Sequence, residues 1–274
     1  MSAEAPRPDP LSREVGVTRV GPADRSTASD RVAVEEPLEI RVAGSTLLVT
    51  MRTPGHDLDL VRGLLFSDGF VERGADIVAI AHCDDVPADA RGNVVNVELA
   101  RGIEIDPARA RAALVTAACG VCGAAAIETL MRPAPIAAGP TVARAVIGAL
   151  PQRMREHQAA FATTGGLHAA ALFDEHGKLL TLREDVGRHN AVDKVIGDAL
   201  RFDLLPLSRS ILMVSGRAGF EIAQKARRAG APILCAVSAP SSLAIEVATA
   251  GTQTLIGFLR NDRFNIYTGD SRIL

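Results

Sequence analysis

The stretch SILMVSGRAGFEIAQKARRAGAPILCAV, residues 210–237, contains two short apolar runs separated by an amphipathic segment. The runs Ser210–Val214 and Pro232–Val237 have the length and aliphatic composition of buried strands. Between them, Phe220–Arg228 is predicted to be a helix. A strand, a helix and a second strand in this order form a βαβ unit, so the stretch predicts an α/β fold with parallel strands.

The same alternation continues outward in both directions. Downstream, Ser241–Ala250 is predicted to be a helix and Thr254–Phe258 a final apolar run before RFNIY. Upstream, Asn190–Leu200 is predicted to be a helix, and AALF and KLLTL are predicted to pair as a hairpin around Asp174–Gly177. Residues 141–274 are therefore predicted to form an α/β domain with a mostly parallel sheet.

A linker-like stretch, RPAPIAAGPT (132–141), precedes this domain. After it, Val142–Phe161 is predicted to be helical. We expect the helix to break or restart at Pro151, because proline lacks the N–H that a helix interior requires.

The first half of the chain is richer in strand signals. Residues 1–30 contain many Pro, Ser, Asp and Arg residues without a sustained period, and they are predicted to form a mobile tail. Residues 31–131 are predicted to form a smaller strand-rich subdomain that ends in a loop at 116–126. Its predicted elements are a hairpin with alternating apolar residues at Leu38–Val42 and Leu47–Val49, a helix at Asp57–Phe66, strands at DIVAIAHC and NVVNVELA, and a short helix at Pro107–Leu114.

Composition excludes several classes of function. The 274 residues carry a net charge of −2, contain no Trp and one Tyr, and show no basic stripe, so nucleic-acid binding is not expected. No apolar run approaches the roughly 20 residues that cross a bilayer, and the N-terminus lacks the pattern of a secretory signal. Four cysteines in a chain of this length do not indicate a disulfide framework, so we expect a cytoplasmic protein.

The stretch TAACGVCGAAA, residues 116–126, places Cys119 and Cys122 three positions apart. This spacing alone is compatible with a zinc site, a redox pair or a sulfur carrier. Cys83 and Cys235 each stand alone in an apolar run and no paired histidines supply further ligands, so no metal is predicted. The flanking Ala and Gly residues favour a flexible, exposed segment, as a carrier that forms a persulfide would need.

Two polar segments follow predicted strands and begin predicted helices. LREDVGRHNAVDKVIG (182–197) contains Arg188 and His189, and VSGRAGFEIAQKA (214–226) contains Arg217. Helix N-termini with adjacent arginines favour anion binding, although a capped and solvated helix with Asn190 as N-cap is an alternative. The tail FLRNDRFNIYTG (258–269) is compatible either with phosphate contacts through its arginines or with a solvated edge hairpin.

Five motifs occur in order along the chain: CGVCG, TGGLH, EDVGRHNAVDK, SGRAGFEIAQKA and the terminal F-x-R-x-D-R-F-N-I-Y. With these motifs, the chain resembles the formate dehydrogenase accessory sulfurtransferase family (FdhD-like) from about residue 30 to the end. The resemblance implies a cytidine-deaminase-like three-layer α/β core, a homodimer and a cytoplasmic location. It also implies a sulfurtransferase that takes sulfur from a cysteine desulfurase. The sulfur is delivered to the bis(molybdopterin guanine dinucleotide) molybdenum cofactor, which is then inserted into the catalytic subunit of formate dehydrogenase.

The resemblance also assigns residues. Cys119 matches the persulfide-forming cysteine of the family and Cys122 its partner. The segment that contacts the guanine nucleotide matches Phe258, Leu259, Arg260, Asn261, Asp262 and Arg263. We expect Arg188, His189 and Arg217 to help to bind the same cofactor, and His168 and His189 to serve as ligand contacts, proton donors or structural histidines.

Two other functions compete with this interpretation. A zinc deaminase needs H-x-E before P-C-x-x-C, whereas this chain has His168-Ala169-Ala170 and a C-x-x-C that comes earlier in the sequence. Without the glutamate, deamination lacks its general acid and base. The second alternative is a chaperone that binds the molybdenum cofactor without transferring sulfur.

Overall fold

The computed structural model describes residues 11–103, 105 and 138–274. Cys119 and Cys122, the predicted loop 116–126 and the predicted helix Pro107–Leu114 lie outside these residues. The strands are β1 (Ser12–Val20), β2 (Arg25–Ala33), β3 (Glu36–Val42), β4 (Ser45–Arg52), β5 (Ile77–His82), β6 (Val94–Leu99), β7 (His168–Asp174), β8 (Leu179–Asp185), β9 (Ser210–Val214), β10 (Ile233–Ala236), β11 (Thr254–Arg260) and β12 (Arg263–Thr268). The α-helices are α1 (Asp57–Ser67), α2 (Arg144–Arg155), α3 (Ala159–Thr164), α4 (Arg188–Arg201), α5 (Phe220–Arg228) and α6 (Ser242–Ala250).

The larger sheet has six strands in the order β12-β11-β10-β9-β7-β8. β9, β10 and β11 are parallel, as the opening stretch predicts, but β7 is antiparallel to both β8 and β9, and β12 is antiparallel to β11. The prediction of a mostly parallel sheet is therefore wrong. The physical reason is that tight turns join β7 to β8 and β11 to β12, and a tight turn can only connect antiparallel neighbours.

Helices cover both faces of the six-stranded sheet. Side chains of α4, α5 and α6 pack on one face, where Leu212 and Val214 of β9 point. On the other face, α2 packs over Ile211 and Met213 of the same strand. This layering confirms the α/β class, whereas the cytidine-deaminase-like identity of the core stays a prediction.

The smaller sheet, in the order β4-β3-β6-β5, is not an independent unit. Its inner face packs on α1, and the buried residues of α1 belong to the same hydrophobic core as α4. The two helices touch through glycines: a Cβ on Gly63 would lie 1.8 Å from the backbone oxygen of Asp193, and a Cβ on Gly197 1.8 Å from that of Asp59. The strand-rich subdomain and the α/β domain therefore share one core.

The sequence analysis predicted a mobile tail over residues 1–30, but residues 11–30 form regular structure. β1 and β2 pair as an antiparallel hairpin from Ser12↔Ala33 to Val20↔Arg25. Most of its side chains are exposed. A two-stranded ribbon is held by backbone hydrogen bonds and can carry polar side chains on its exposed faces, so a polar composition does not exclude it.

Pro151 does not break a helix. It lies inside α2, where the neighbouring Leu150 and the following Met154 are buried against the sheet. The chain leaves the helix only at 156–158, before α3 begins. Core packing on both sides of the proline outweighs the one missing backbone hydrogen bond.

Candidate functional site

One edge of the six-stranded sheet collects most of the predicted site residues. β8, β9, β10 and β11 run in the same direction and end there, while β7 begins there at His168. Backbone hydrogen bonds join the turns, because Ser238 N–H donates to Gly216 O at 3.3 Å and Phe258 N–H donates to Ser238 O at 3.1 Å. Ligands of open α/β sheets bind at this kind of edge.

Arg188 and Arg217 form a cationic group beside β9, and His168 lies next to it. A Cβ on Gly216 would lie 3.4 Å from His168 Nδ1 and 3.9 Å from Arg188 Cδ, so both side chains pack against this glycine. Burial, followed by the positive charges of Arg188, His189 and Arg217, lowers the pKa of His168. At neutral pH His168 is therefore an uncharged imidazole that can accept a hydrogen bond.

Arg188 is the first residue of α4, and the preceding Gly187 provides no side-chain cap. Its Nε is buried and has no hydrogen-bond acceptor among the residues that the structure describes. A buried guanidinium nitrogen without an acceptor is costly, and the free N–H groups of the helix N-terminus add to the local positive potential. This combination favours an anionic ligand with oxygen acceptors, such as a phosphate.

The other polar residues of the motif around Arg188 stabilise the fold. Asp185, fully buried, is paired with Lys194 at 2.8 Å. Asp185 also accepts from the N–H of Gly187 at 2.8 Å and from the Asn190 side chain at 3.0 Å. Asn190 is therefore not the N-cap that the alternative interpretation assumed. These bonds fix the turn that carries Arg188.

Two further carboxylates of the motif are also engaged in the fold. Glu184 accepts the backbone N–H groups of Ala160 and Phe161, at 3.0 and 2.8 Å, at the start of α3. Asp193 accepts from Ser67 and Lys225, each at 2.8 Å. Within the motif, Arg188 and His189 are thus the side chains that remain directed to the sheet edge.

His189 is held by a residue that the sequence analysis missed. Its Nε2 lies 2.9 Å from Oε2 of Glu221 in the first turn of α5, and both side chains are half-buried. The hydrogen bond from His189 is the main cause that lowers the pKa of Glu221. Glu221 was predicted only as part of a helix, and no sequence spacing links it to a histidine 32 positions earlier.

Phe258 and Arg260 lie at the far end of the same edge. Phe258 has a left-handed backbone (φ 53°) at an irregularity in the β11–β12 pairing, and 44% of its side chain is exposed. Arg260 donates from Nε to Val237 O at 3.3 Å. An exposed aromatic ring on a strained backbone is unusual and is more common at functional sites.

The remaining residues of the 258–263 segment are arranged differently. Leu259 is fully buried in the core under α2, so its side chain faces away from the edge. Asn261 and Asp262, at φ 47° and 64°, form the two-residue turn between β11 and β12. Asp262 lies against Gly148 of α2, and Arg263 is exposed at the start of β12.

Two open cavities, of about 370 and 640 Å³, lie at the opposite edge of the sheet. Arg209 lines the smaller cavity, and Gln253 and Arg272 line the larger one. Neither is lined by the cationic group. We therefore place the candidate site at the strand ends rather than in a cavity, because this edge carries the buried Arg188 nitrogen without an acceptor and, at its far end, the strained backbone of Phe258.

The chain is similar to proteins that are described as sulfur carriers. Among the helices of the described residues, none is long and apolar enough to cross a membrane. The sulfur carrier protein FdhD of Nocardia farcinica is 49% identical over 263 residues, which cover 94% of this chain and 93% of that protein. Proteins with the same description from Mycobacterium tuberculosis and Streptomyces coelicolor are 49% and 48% identical, over 90% and 94% of this chain and 93% and 94% of the relatives.

A solved structure shares the fold. It comes from Desulfotalea psychrophila and is provisionally described as a formate dehydrogenase accessory protein. It has a TM-score of 0.78 and 25% identity, and it covers 97% of this chain and 100% of its own. The model of the FdhD/NarQ family matches residues 33–274, and the chain therefore belongs to the FdhD/NarQ family.

Proposed function

We propose that this protein is a sulfur carrier that serves the maturation of formate dehydrogenase. Its relatives in the FdhD/NarQ family that share about half of its residues are described as sulfur carriers. The observation that carries the proposal is the acceptor-free Nε of Arg188 beside His168 and Arg217 at the strand ends. A carrier needs a place where the molecule that receives the sulfur can bind, and this edge suits an anionic acceptor.

The acceptor in this proposal is the bis(molybdopterin guanine dinucleotide) molybdenum cofactor, bound as cargo. It carries two pyrophosphate groups, so several arginines are needed rather than one. Arg188, His189 and Arg217 would contact phosphate oxygens at one end of the edge. At the other end Phe258 offers an exposed ring on which a guanine base can stack, with Arg260 and Arg263 nearby.

The sulfur chemistry would use Cys119 and Cys122. The thiolate of Cys119 attacks the terminal sulfur of a persulfide on a cysteine desulfurase, and the cysteine of the desulfurase leaves as a thiolate. Attack by Cys122 on the Sγ of Cys119 then releases hydrosulfide to the molybdenum and leaves a Cys119–Cys122 disulfide. The two cysteines are oxidised by two electrons, the transferred sulfur is reduced by two, and a cellular dithiol regenerates the pair.

The remaining parts of the proposal concern assembly. The catalytic subunit of formate dehydrogenase would receive the sulfurated cofactor. We propose that the protein works as a homodimer in the cytoplasm, where desulfurases and reducing dithiols are present.

The sulfur step is tested by mass spectrometry after incubation with a desulfurase and cysteine. One added sulfur, about 32 Da, is expected on Cys119. The Cys119→Ala variant should lose the added mass, whereas Cys83→Ala, the control, should keep it. Wild-type protein that binds the cofactor but never gains sulfur would instead support the chaperone without sulfur transfer.

The binding step is tested with GDP as a probe for the guanine dinucleotide. Loss of a charged hydrogen-bond donor costs about 1.5–3 kcal/mol, so Arg188→Ala should weaken GDP binding by roughly tenfold or more. Arg209→Ala removes an exposed arginine at the opposite edge of the sheet and should leave affinity unchanged. Equal affinities of the two variants in isothermal titration calorimetry would remove Arg188 from the site.

A further inference from the structure

We propose that Thr53 is a positioning residue that keeps the side chain of Arg188 directed at the anion site. The inference rests on the proposed function, because it takes Arg188 to contact the phosphate of a guanine nucleotide. Thr53 lies directly after β4 of the smaller sheet, whereas Arg188 begins α4 beside the six-stranded sheet. The segment 51–53, at the end of β4, would thus contribute to a site that no residue of the smaller sheet was predicted to form.

Thr53 makes three hydrogen bonds to the region around Arg188. Its Oγ1 accepts from the N–H of Val186 at 3.1 Å, and its own N–H donates to Oδ2 of Asp185 at 3.2 Å. Its carbonyl oxygen accepts from the ammonium of Lys194 at 2.8 Å. Thr53 is fully buried, so water does not compete for these bonds. Each polar group of this one residue therefore joins the end of β4 to the start of α4.

The bond to the side chain of Thr53 lies close enough to Arg188 to set its direction. Only Val186 and Gly187 separate the end of β8 from Arg188, the first residue of α4. The N–H of Gly187 donates to Oδ1 of Asp185 at 2.8 Å, and the N–H of Val186 donates to Thr53. The backbone has two soft dihedral angles per residue, so fixing both N–H groups of so short a turn fixes the way in which α4 begins.

A second bond to segment 51–53 lies on the other side of Arg188. The side-chain amide of Asn190 donates to the backbone oxygen of Met51 at 2.7 Å and to Oδ1 of Asp185 at 3.0 Å. The buried Nε of Arg188 has no acceptor among the described residues, so this nitrogen does not hold the guanidinium in place. The direction of the side chain therefore depends on the backbone on either side of it, which segment 51–53 supports.

Segment 51–53 is itself anchored, which allows it to act as a rigid support. Arg52 is 1% exposed, and its Nε donates to Oδ1 of Asp57 at 3.0 Å. Its terminal nitrogen also donates to the side-chain oxygen of Asn93 at 2.8 Å, just before β6. These bonds tie the segment to α1 and to the smaller sheet, so a displacement of Thr53 would have to break charged hydrogen bonds.

Isothermal titration calorimetry with GDP tests the positioning role. Thr53→Val keeps the shape of the side chain and leaves the N–H of Val186 without an acceptor. We expect its GDP affinity to fall about fivefold, less than the roughly tenfold loss expected of Arg188→Ala, because the guanidinium is kept but no longer held. Thr53→Ser restores the hydroxyl and should bind GDP within about twofold of wild type.

Two controls separate positioning from a general loss of stability. Thr254 is a fully buried threonine at the opposite edge of the sheet, and its Oγ1 donates to the backbone oxygen of Gly269 at 2.7 Å. Thr254→Val should lower the Tm about as much as Thr53→Val, yet keep GDP affinity within about twofold of wild type. In an Arg188→Ala background, Thr53→Val should cause no further loss of affinity, because Thr53 acts through Arg188.

The outcomes distinguish this inference from the proposed function. Wild-type affinity in Thr53→Val, or a loss that persists in full without Arg188, would overturn the positioning role and leave the anion site standing. If Thr53→Val does not fold, Asn190→Ala removes the bond to Met51 and should weaken GDP binding about fivefold; unchanged affinity in that variant would equally overturn the role. Wild-type protein that fails to bind GDP would reject the proposed function and this inference with it.

Discussion

Replacing Lys194 with Met tests whether the buried ion pair under the candidate site holds the fold together. Lys194 is 1% exposed and its Nζ lies 2.8 Å from Oδ2 of Asp185, which is fully buried. The ammonium also donates to the backbone oxygens of Thr53 and Glu184, at 2.8 and 3.3 Å. In the variant, Asp185 becomes a buried carboxylate without a counter-ion.

The magnitude follows from what remains around Asp185. Removal of one partner of a buried pair costs about 3–5 kcal/mol. Asp185 keeps the N–H groups of Thr53 and Gly187 and the amide of Asn190 as donors, at 3.2, 2.8 and 3.0 Å, which places the loss near the lower limit. We therefore expect a loss of about 3 kcal/mol, or roughly 5 °C in Tm for a chain of this size.

The assay is urea unfolding followed by circular dichroism, because the chain contains no Trp for fluorescence. Lys178→Met removes an exposed lysine on the β7–β8 turn and should stay within about 0.5 kcal/mol of wild type. Asp185→Asn combined with Lys194→Met should be more stable than Lys194→Met alone, because no unpaired charge is left. A Lys194→Met variant within about 1 kcal/mol of wild type would show that the pair is not an important source of stability.

Three further predictions concern the core, the pH dependence and the nucleotide site. Gly197→Ala should lower the free energy of unfolding by about 3 kcal/mol or prevent folding, as measured in the same urea assay, because its Cβ would lie 1.8 Å from the backbone oxygen of Asp59. Burial raises the pKa of Asp59, but hydrogen bonds from His56 and Arg183 outweigh this effect, and the net shift of the pKa is downward. The ionised carboxylate therefore contributes stability above its unfolded pKa, and this contribution is lost as the pH falls through the folded pKa. Asp59→Asn should flatten the loss of stability that is measured below about pH 4. Phe258→Gly should weaken GDP binding about tenfold in calorimetry, since stacking contributes about 1–3 kcal/mol per base, and should change stability by less than about 1 kcal/mol because glycine relieves the strained φ of 53°.

Elements with a strong local period could be predicted from the sequence. β9 and α5 have the predicted boundaries, Ser210–Val214 and Phe220–Arg228, because a buried run and an amphipathic helix each have an unambiguous pattern. The β1–β2 hairpin was missed because both of its faces are largely exposed, so burial imposes no alternation on its sequence. The strand directions were misjudged because they depend on which strands become neighbours, a property that no local pattern contains.

The cationic residues of the candidate site could be predicted from the sequence, but the residues that contact them could not. Arg188 and His189 stand out in the sequence because they begin a helix after a strand. The pairing of His189 with Glu221 depends on two helix starts meeting at one sheet edge, so it emerged only from the fold. Leu259 shows the converse: it lies in a segment predicted to bind the cofactor, yet alternation along β11 turns its side chain into the core.

The glycine contact between α1 and α4 limits how this protein can be divided. α1 supplies Leu60, Leu64 and Leu65 to the core on which α4 also rests, and α4 bears Arg188 in its first turn. A fragment restricted to residues 138–274 would therefore expose a large apolar surface to water, and we expect it to aggregate rather than bind an anion. Gene fusions or domain swaps that preserve binding would have to keep residues 36–99 together with the C-terminal half.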